Sequence, residues 1–217
     1  MNTWFIIPAR KGSKRFPLKN RKLVPICLSQ LDSEWVKNTI VSTNDRHIRE
    51  IAEKFGAAVH DRSEENASDS SSMRETLKEV IADKNISEND TIVCLYPTYP
   101  QRNADIIHSS IGFFISAGAD SMLCKKTIKS HPYLFLRDIG DNKGELFIEN
   151  NLYRWQDFPK CFQYSHFIVI FKVSEIENLN FQLFNKDTVY FDIPESVDVD
   201  SESDFKSYLS LEKNKPS

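Results

Sequence analysis

Short apolar runs alternate with amphipathic stretches through the first two thirds of the chain. Thr3–Pro8 holds the continuous run Trp4-Phe5-Ile6-Ile7, which predicts a buried strand. Lys37–Thr43 (KNTIVST) predicts a second strand. Asp45–Phe55 (DRHIREIAEKF) predicts a helix, because Ile48, Ile51, Ala52 and Phe55 fall on one face. Gly56 is the expected end of that helix, and AAVHD a short strand after it. Ser68 or Asp69 is the expected cap of a helix running to about Ala82, with Met73, Leu77, Val80 and Ile81 at helical spacing. Thr91–Leu95 is a third clear apolar strand; Pro97 and Pro100 force a loop after it. Ala104–Ser116 again reads as helix, and Ser121–Cys124 as a fourth strand. Strands alternating with helices of this length predict an α/β fold: a Rossmann-like, mostly parallel sheet flanked by helices.

Residues 130–164 break the rhythm. HPYLFL, a GDNKG turn, ELFIE and NLYRWQDFPKCFQY are rich in aromatic and turn residues. They predict a β-rich hairpin or arm, whose aromatic side chains, if exposed, suit a subunit interface. The alternative is that this segment packs over its own sheet edge. His166–Phe171 (HFIVIF) returns to a core strand, Asp187–Asp192 is a further one, and Ser201–Leu211 a closing amphipathic helix; the polar tail KNKPS is expected to fray. At 217 residues the chain is expected to form one domain, 1–217, with the arm at about 130–164.

Composition narrows the function classes. With 40% hydrophobic and 27% charged residues the chain is ordinary globular protein. No apolar run approaches the ~18 residues that span a bilayer, and TWFIIPA is too short for a signal-peptide core. Cys27, Cys94, Cys124 and Cys161 are widely spaced, which argues against a thiolate metal site and for reduced cysteines in a cytoplasmic protein. A net charge of −3 gives no general reason to expect nucleic acid as a partner, nor a membrane.

Charge is nonetheless concentrated locally. Seven of the thirteen residues from Arg10 to Lys22 are Arg or Lys, directly after the first predicted strand. In an open parallel sheet, ligands bind beyond the carboxyl ends of the strands. There Gly12 and Ser13 permit close backbone approach and Arg10, Lys14 and Lys19 supply charge, the makings of a phosphate cradle. Neither the P-loop nor the dinucleotide glycine pattern is present. A solvated basic surface is the competing reading, and position after a buried strand weighs against it. The second constellation is SVDVDSESD, 196–204. On an extended segment Asp198 and Asp200 point to the same side, a pair of hard ligands suited to Mg²⁺. An acidic helix start, with Ser201 as cap and Glu202 and Asp204 in the first turn, accounts for the rest. Both readings can hold together. His131 and His166 stand apart from any Ser or Cys in a triad-like context, which argues against hydrolysis; His47 and His60 read as surface or structural.

IPARKGSKRFPLKN resembles the N-terminal motif of the acylneuraminate (CMP-sialic acid) cytidylyltransferases, roughly A-R-x-G-S-K-x-x-P-x-K-N, through Ala9, Arg10, Gly12, Ser13, Lys14, Pro17, Lys19 and Asn20. IVSTND, DRSEENASDSSS (through Arg62, Glu65, Ala67 and Asp69), LYPTYPQR, His131-Pro132, RWQD and SVDVDSESD resemble later motifs in the same order. The resemblance implies transfer of a cytidylyl group from CTP to a 2-keto sugar acid, with Mg²⁺ as cofactor, in a homodimer joined through the arm. It implies nucleotide contacts from Ala9, Arg10, Gly12, Ser13, Lys14, Lys19, Asn20, Arg62 and Ser71. Arg10, Lys19 and Asp200 would be catalytic, and Asp198 and Asp200 the metal ligands. Tyr96, Arg102, Arg154, Gln156 and Ser165 would face the acceptor. Lys11, Arg15, Arg21 and Lys22 lie outside the motif and are expected as solvated surface.

The chain departs from the family pattern at several points. Tyr96 stands for a Gln, Tyr99 for a Ser, Ser165-His166 for an Asn-Gly pair and Ser63 for a Pro; the stretch after Asn20 is shorter and carries Pro25, so the first crossover helix is expected to be truncated. All but the last two fall on the acceptor side. The sugar acid is therefore left open among sialic-acid-like nonulosonic acids. An eight-carbon keto-sugar acceptor, or a nucleotide-binding protein without turnover, are the alternatives.

Overall fold

In a computed structural model that describes residues 1–213, each apolar run forms a strand whose alternate side chains enter opposite faces of one sheet. The strands are β1 (Thr3–Pro8), β2 (Thr39–Thr43), β3 (Ala58–Asp61), β4 (Thr91–Cys94), β5 (Ser121–Thr127), β6 (Leu136–Gly140), β7 (Lys143–Leu146), β8 (Phe162–Lys172) and β9 (Val189–Asp192). The helices are α1 (Lys19–Ser29), α2 (Ser33–Val36), α3 (Arg46–Phe55), α4 (Met73–Asp83), α5 (Ala104–Ser116) and α6 (Glu202–Lys213). Of the tail KNKPS, residues 214–217 lie outside the described residues.

Among the described residues the main sheet has seven strands in the order β3-β2-β1-β4-β8-β5-β9. β1 pairs in parallel with β2 and β4, β2 with β3, and β5 with β9. β8 alone runs antiparallel, between β4 and β5. In register, Ile6 lies beside Ile40 and Cys94, and these three face one side with Ile92, Leu77, Val80, Phe171 and Leu183. Phe5, Ile7, Val41 and Val93 face the other side, against Val24, Leu28, Ile48, Ala52, Ile107 and Phe114 of the helices. Burying each such side chain contributes ~1.5–3 kcal/mol over leaving it exposed. No described helix is long and apolar enough to cross a membrane.

The caps explain where helices begin. Asp45 accepts a hydrogen bond from the His47 amide to open α3, and Gly56 closes it at φ 85°. α4 starts later than the sequence reading placed it: Ser72, not Ser68 or Asp69, accepts from the Glu75 amide. Ser72-Met73-Arg74-Glu75 is the S-x-x-E capping box, a stronger signal than the lone Ser68 or Asp69. The preceding residues are engaged elsewhere, Ala67 by Arg10 and Ser71 by Asn66.

The excursion at 130–164 is less β-rich than expected. A single hairpin, β6–β7, stands apart from the main sheet with every position exposed. Between Phe147 and Cys161 the only regular element is a short 3₁₀ turn at Trp155–Asp157. A knot of aromatic side chains lies there instead: His131, Tyr133, Trp155 and Phe158 meet edge-on or tilted, and His131 Nε2 lies 3.0 Å from the Pro159 carbonyl. Side-chain packing, not strand pairing, shapes the root of the arm.

Candidate active site

The β1 strand ends at the sheet's carboxyl edge, where its main chain is pinned. The Ala9 amide donates to the Ser42 carbonyl (2.9 Å) and Thr43 Oγ1 donates to the Ala9 carbonyl (2.6 Å). Gly12 takes φ +84°, which L side chains rarely adopt, so the loop turns there and α1 begins at Lys19. Asn20 folds back and donates to the Arg10 carbonyl (2.9 Å), closing the loop on itself.

This loop forms one wall of a cavity of about 570 Å³. Arg10, Ser13, Lys14, Arg15, Lys19 and Asn20 line it from one side, Arg62, Ser68, Asp69 and Ser71 from a second, and Tyr96, Pro97, Thr98 and Asp200 from the rest. Carboxylates already meet its cations. Asp69 pairs with Arg10 (2.6 Å) and Lys14 (2.5 Å), and their hydrogen bonds hold its carboxyl below the usual range. Lys19, only 9% exposed, pairs with Asp200 at 2.9 Å. Arg62 is buried and donates its Nε to the Asn66 carbonyl (2.8 Å); burial, with Arg10 close by, pushes its pKa down to about 10, so it stays charged at neutral pH. Burial raises the Tyr96 phenol well above its ordinary value, so it stays neutral.

The acidic segment alternates as the sequence reading required. Val199 is buried with Phe16, Leu23 and Tyr208, and Val197 packs against them, while Asp198 and Asp200 are exposed. Asp204 accepts from the Asp200 and Ser201 amides and Ser201 Oγ accepts from the Asp204 amide, so the helix-start reading holds as well. Among the described residues no group of three or more His, Cys, Asp or Glu side chains could hold a metal ion. The two carboxylates fit an Mg²⁺ ion whose other ligands are water and phosphate oxygens, which is how that cation is commonly held.

Not every expected residue is brought to the cavity. Ala9 and Gly12 do not line it. Arg102 is 3% exposed and turned into the core, where it donates to the Phe167 carbonyl (2.6 Å) and lies 3.0 Å from Cys27 Sγ. It carries the loop after β4 and does not line the cavity, against the expectation of an acceptor contact; a cation that finds carbonyl acceptors indoors is readily buried. Arg154 is exposed on the arm and paired with Asp157 (2.7 Å), with Gln156 exposed beside it, and neither lines the cavity. Ser165 is buried beneath the Tyr99 hydroxyl (3.4 Å). Of the basic residues expected as solvated surface, Arg15 lines the cavity, Arg21 pairs with Asp45 (2.9 Å) and Lys22 sits over the Phe16 ring (4.9 Å); Lys11 is exposed. Sequence reasoning missed Asp69 as the partner of the loop cations and Tyr99 as the partner of Asp198. Asp69 lay in a matched motif, but nothing local pairs it with residues more than fifty positions away.

The cytidylyltransferase family model matches residues 4–214. A post-translational flagellin modification protein B of Campylobacter coli is 29% identical over 223 residues, covering 96% of this chain and 94% of that protein. An N-acylneuraminate cytidylyltransferase of Streptococcus agalactiae serotype V is 27% identical over 220 residues, and there the chain spans about half of the relative's length (51%). Among solved structures, a CMP:2-keto-3-deoxy-manno-octonic acid synthetase complexed with CTP superposes with a TM-score of 0.66 over 98% of this chain and 99% of that one, at 15% identity, a likeness of fold.

Proposed function

The chain belongs to the cytidylyltransferase family, and from that premise we propose that it activates a nonulosonic, sialic-acid-like sugar acid. CTP and the sugar acid would give the CMP-sugar and pyrophosphate. The observation that carries the reading is the convergence of Arg10, Ser13, Lys14 and Lys19 on one cavity that Asp200 also lines. In this reading the triphosphate takes Arg10 and Lys14 from Asp69, and Lys19 from Asp200. Asn20, Arg62 and Ser71 face the nucleoside, and Tyr96, which lines the cavity and stacks 5.3 Å from His166, faces the acceptor.

The anomeric hydroxyl attacks the α-phosphorus and gives up its proton to solvent; the new O–P bond forms as the bond to the bridging oxygen breaks, and pyrophosphate leaves with the electrons of that bond. The protein's work is positioning and charge neutralisation, with Lys19 and Arg10 nearest the developing charge. Asp198 and Asp200 would hold Mg²⁺, which when bound supplies further neutralisation of the phosphate oxygens. The exposed apolar side chains of the arm, among them Phe135, Phe147, Tyr153 and Trp155, support a homodimer joined there. Four free cysteines, three of them buried, suit a cytoplasmic, reducing setting.

Pyrophosphate release should require CTP, Mg²⁺ and a nonulosonic acid together. No release from any of the four nucleoside triphosphates across a panel of such acids would end this reading.

A further inference from the structure

Three successive contacts tie the acidic segment to the loop that follows β4. The Val197 amide donates to Gln101 Oε1 (2.7 Å), the Tyr99 hydroxyl donates to Asp198 Oδ2 (2.9 Å), and the Val199 amide donates to the Thr98 carbonyl (2.8 Å). The outer two fix main chain; the middle one reaches the carboxylate itself. Tyr99 is 7% exposed, its ring set edge-on to Phe167 at 5.4 Å, with Ser165 Oγ 3.4 Å from its hydroxyl. A phenol walled in this way has one place to be, so the carboxylate must come to it. Asp200 is held differently. Its partner Lys19 lines the cavity with it, whereas neither Asp198 nor Tyr99 lines the cavity.

We propose that Tyr99 is a positioning residue: its hydroxyl holds Asp198 in one orientation on the exposed side of the segment it shares with Asp200, and so sets how tightly the pair holds a divalent cation. The same loop supplies Tyr96, Pro97 and Thr98 to the cavity wall, so one rigid turn orders both the cavity and the acidic pair. Two of the positions that depart from the family pattern, Tyr99 and Ser165, thereby act on Asp198. This inference rests on the reading of Asp198 and Asp200 as cation ligands.

Tyr99→Phe removes one oxygen and leaves the ring in place. With Mn²⁺ as probe and CTP present, the free-ion electron paramagnetic resonance signal should report affinity weakened by about 10-fold or more, the usual cost of losing a partner that orients a ligand. CTP binding measured by calorimetry without metal should be unchanged. In the Asp198→Asn background the same substitution should have no further effect on Mn²⁺ affinity, because the group it orients is already altered; a merely structural role would lower affinity in both backgrounds. Should Tyr99→Phe fail to fold, Ser165→Ala gives the same test, with a smaller loss of about threefold expected from freeing the phenol. Unchanged Mn²⁺ affinity in the tested variant, beside normal uptake by the wild-type protein, overturns the role of Tyr99 alone. No CTP-dependent Mn²⁺ uptake by the wild type overturns the cation-ligand reading and this inference with it. Normal uptake that Tyr99→Phe weakens, without pyrophosphate from any acceptor, leaves Tyr99 in place and removes only the proposed acceptor class.

Discussion

The loop after β1 and the arm after β5 both wait for something the chain does not contain, but they wait in opposite ways. In the loop, Arg10, Lys14 and Lys19 already have carboxylate partners, Asp69 and Asp200. In the arm, Phe147 is 70% exposed and Tyr153 87% exposed, with no such stand-in. Charge can be satisfied provisionally within the chain, because an exposed ion pair contributes only ~0.2–1 kcal/mol and exchanges readily for a better anion. Apolar surface has no provisional partner short of burial, so it stays open until another surface covers it.

The largest effect should come from the loop. Lys19→Ala is expected to lower turnover by ~10²–10³-fold, as for the loss of one preorganised donor. Rapid-quench assay of pyrophosphate checks it; retained turnover would make the loop a binding surface without a catalytic residue. On the arm, Phe147→Glu should weaken self-association by ~30-fold if that side chain is an interface anchor, seen by sedimentation equilibrium, while monomer stability stays within about 0.5 kcal/mol. An unchanged association constant would leave the exposed face without its assigned partner.

Acid should act on the fold through two buried histidines. Burial pushes the His166 imidazole, beside Tyr96, below its ordinary 6.5, and does the same to His60 in the core. The unfolded chain therefore takes up these protons first, so stability is full above about pH 6.5 and falls as the pH drops below it. Thermal melts from pH 7.5 to 5 should show the fall, and His166→Gln should flatten it. Arg62, at about 10, stays charged throughout that window. The smallest effect concerns the stand-in: Asp69→Asn frees Arg10 and Lys14, and the KM for CTP should drop by up to about fivefold, the equivalent of one exposed ion pair. A raised KM would show instead that Asp69 orders the loop for its ligand.

Much of the frame was legible in the residues alone. β1, β4, α3 and α5 follow from apolar runs and helical spacing, which are local, and the alternation of Val197, Asp198, Val199 and Asp200 placed both carboxylates on one side before any coordinates. The basic loop after β1 was legible for the same reason: its residues are neighbours in the chain. The start of α4 was misplaced although the capping box was present, and the arm's aromatic knot was read as strand because apolar and turn residues signal both.

What the residues determined by themselves, then, is which segments are strands, which are helices, and where charge gathers. Only the tertiary structure decided that β8 slots antiparallel between β4 and β5, that Arg102 spends its guanidinium on the core, and that Tyr99 reaches Asp198. Periodicity is a property of a dozen consecutive residues and survives any fold. Pairings such as Tyr99 with Asp198, ninety-nine positions apart, exist only once the sheet order brings two loops to the same edge, and nothing local in the chain encodes that distance.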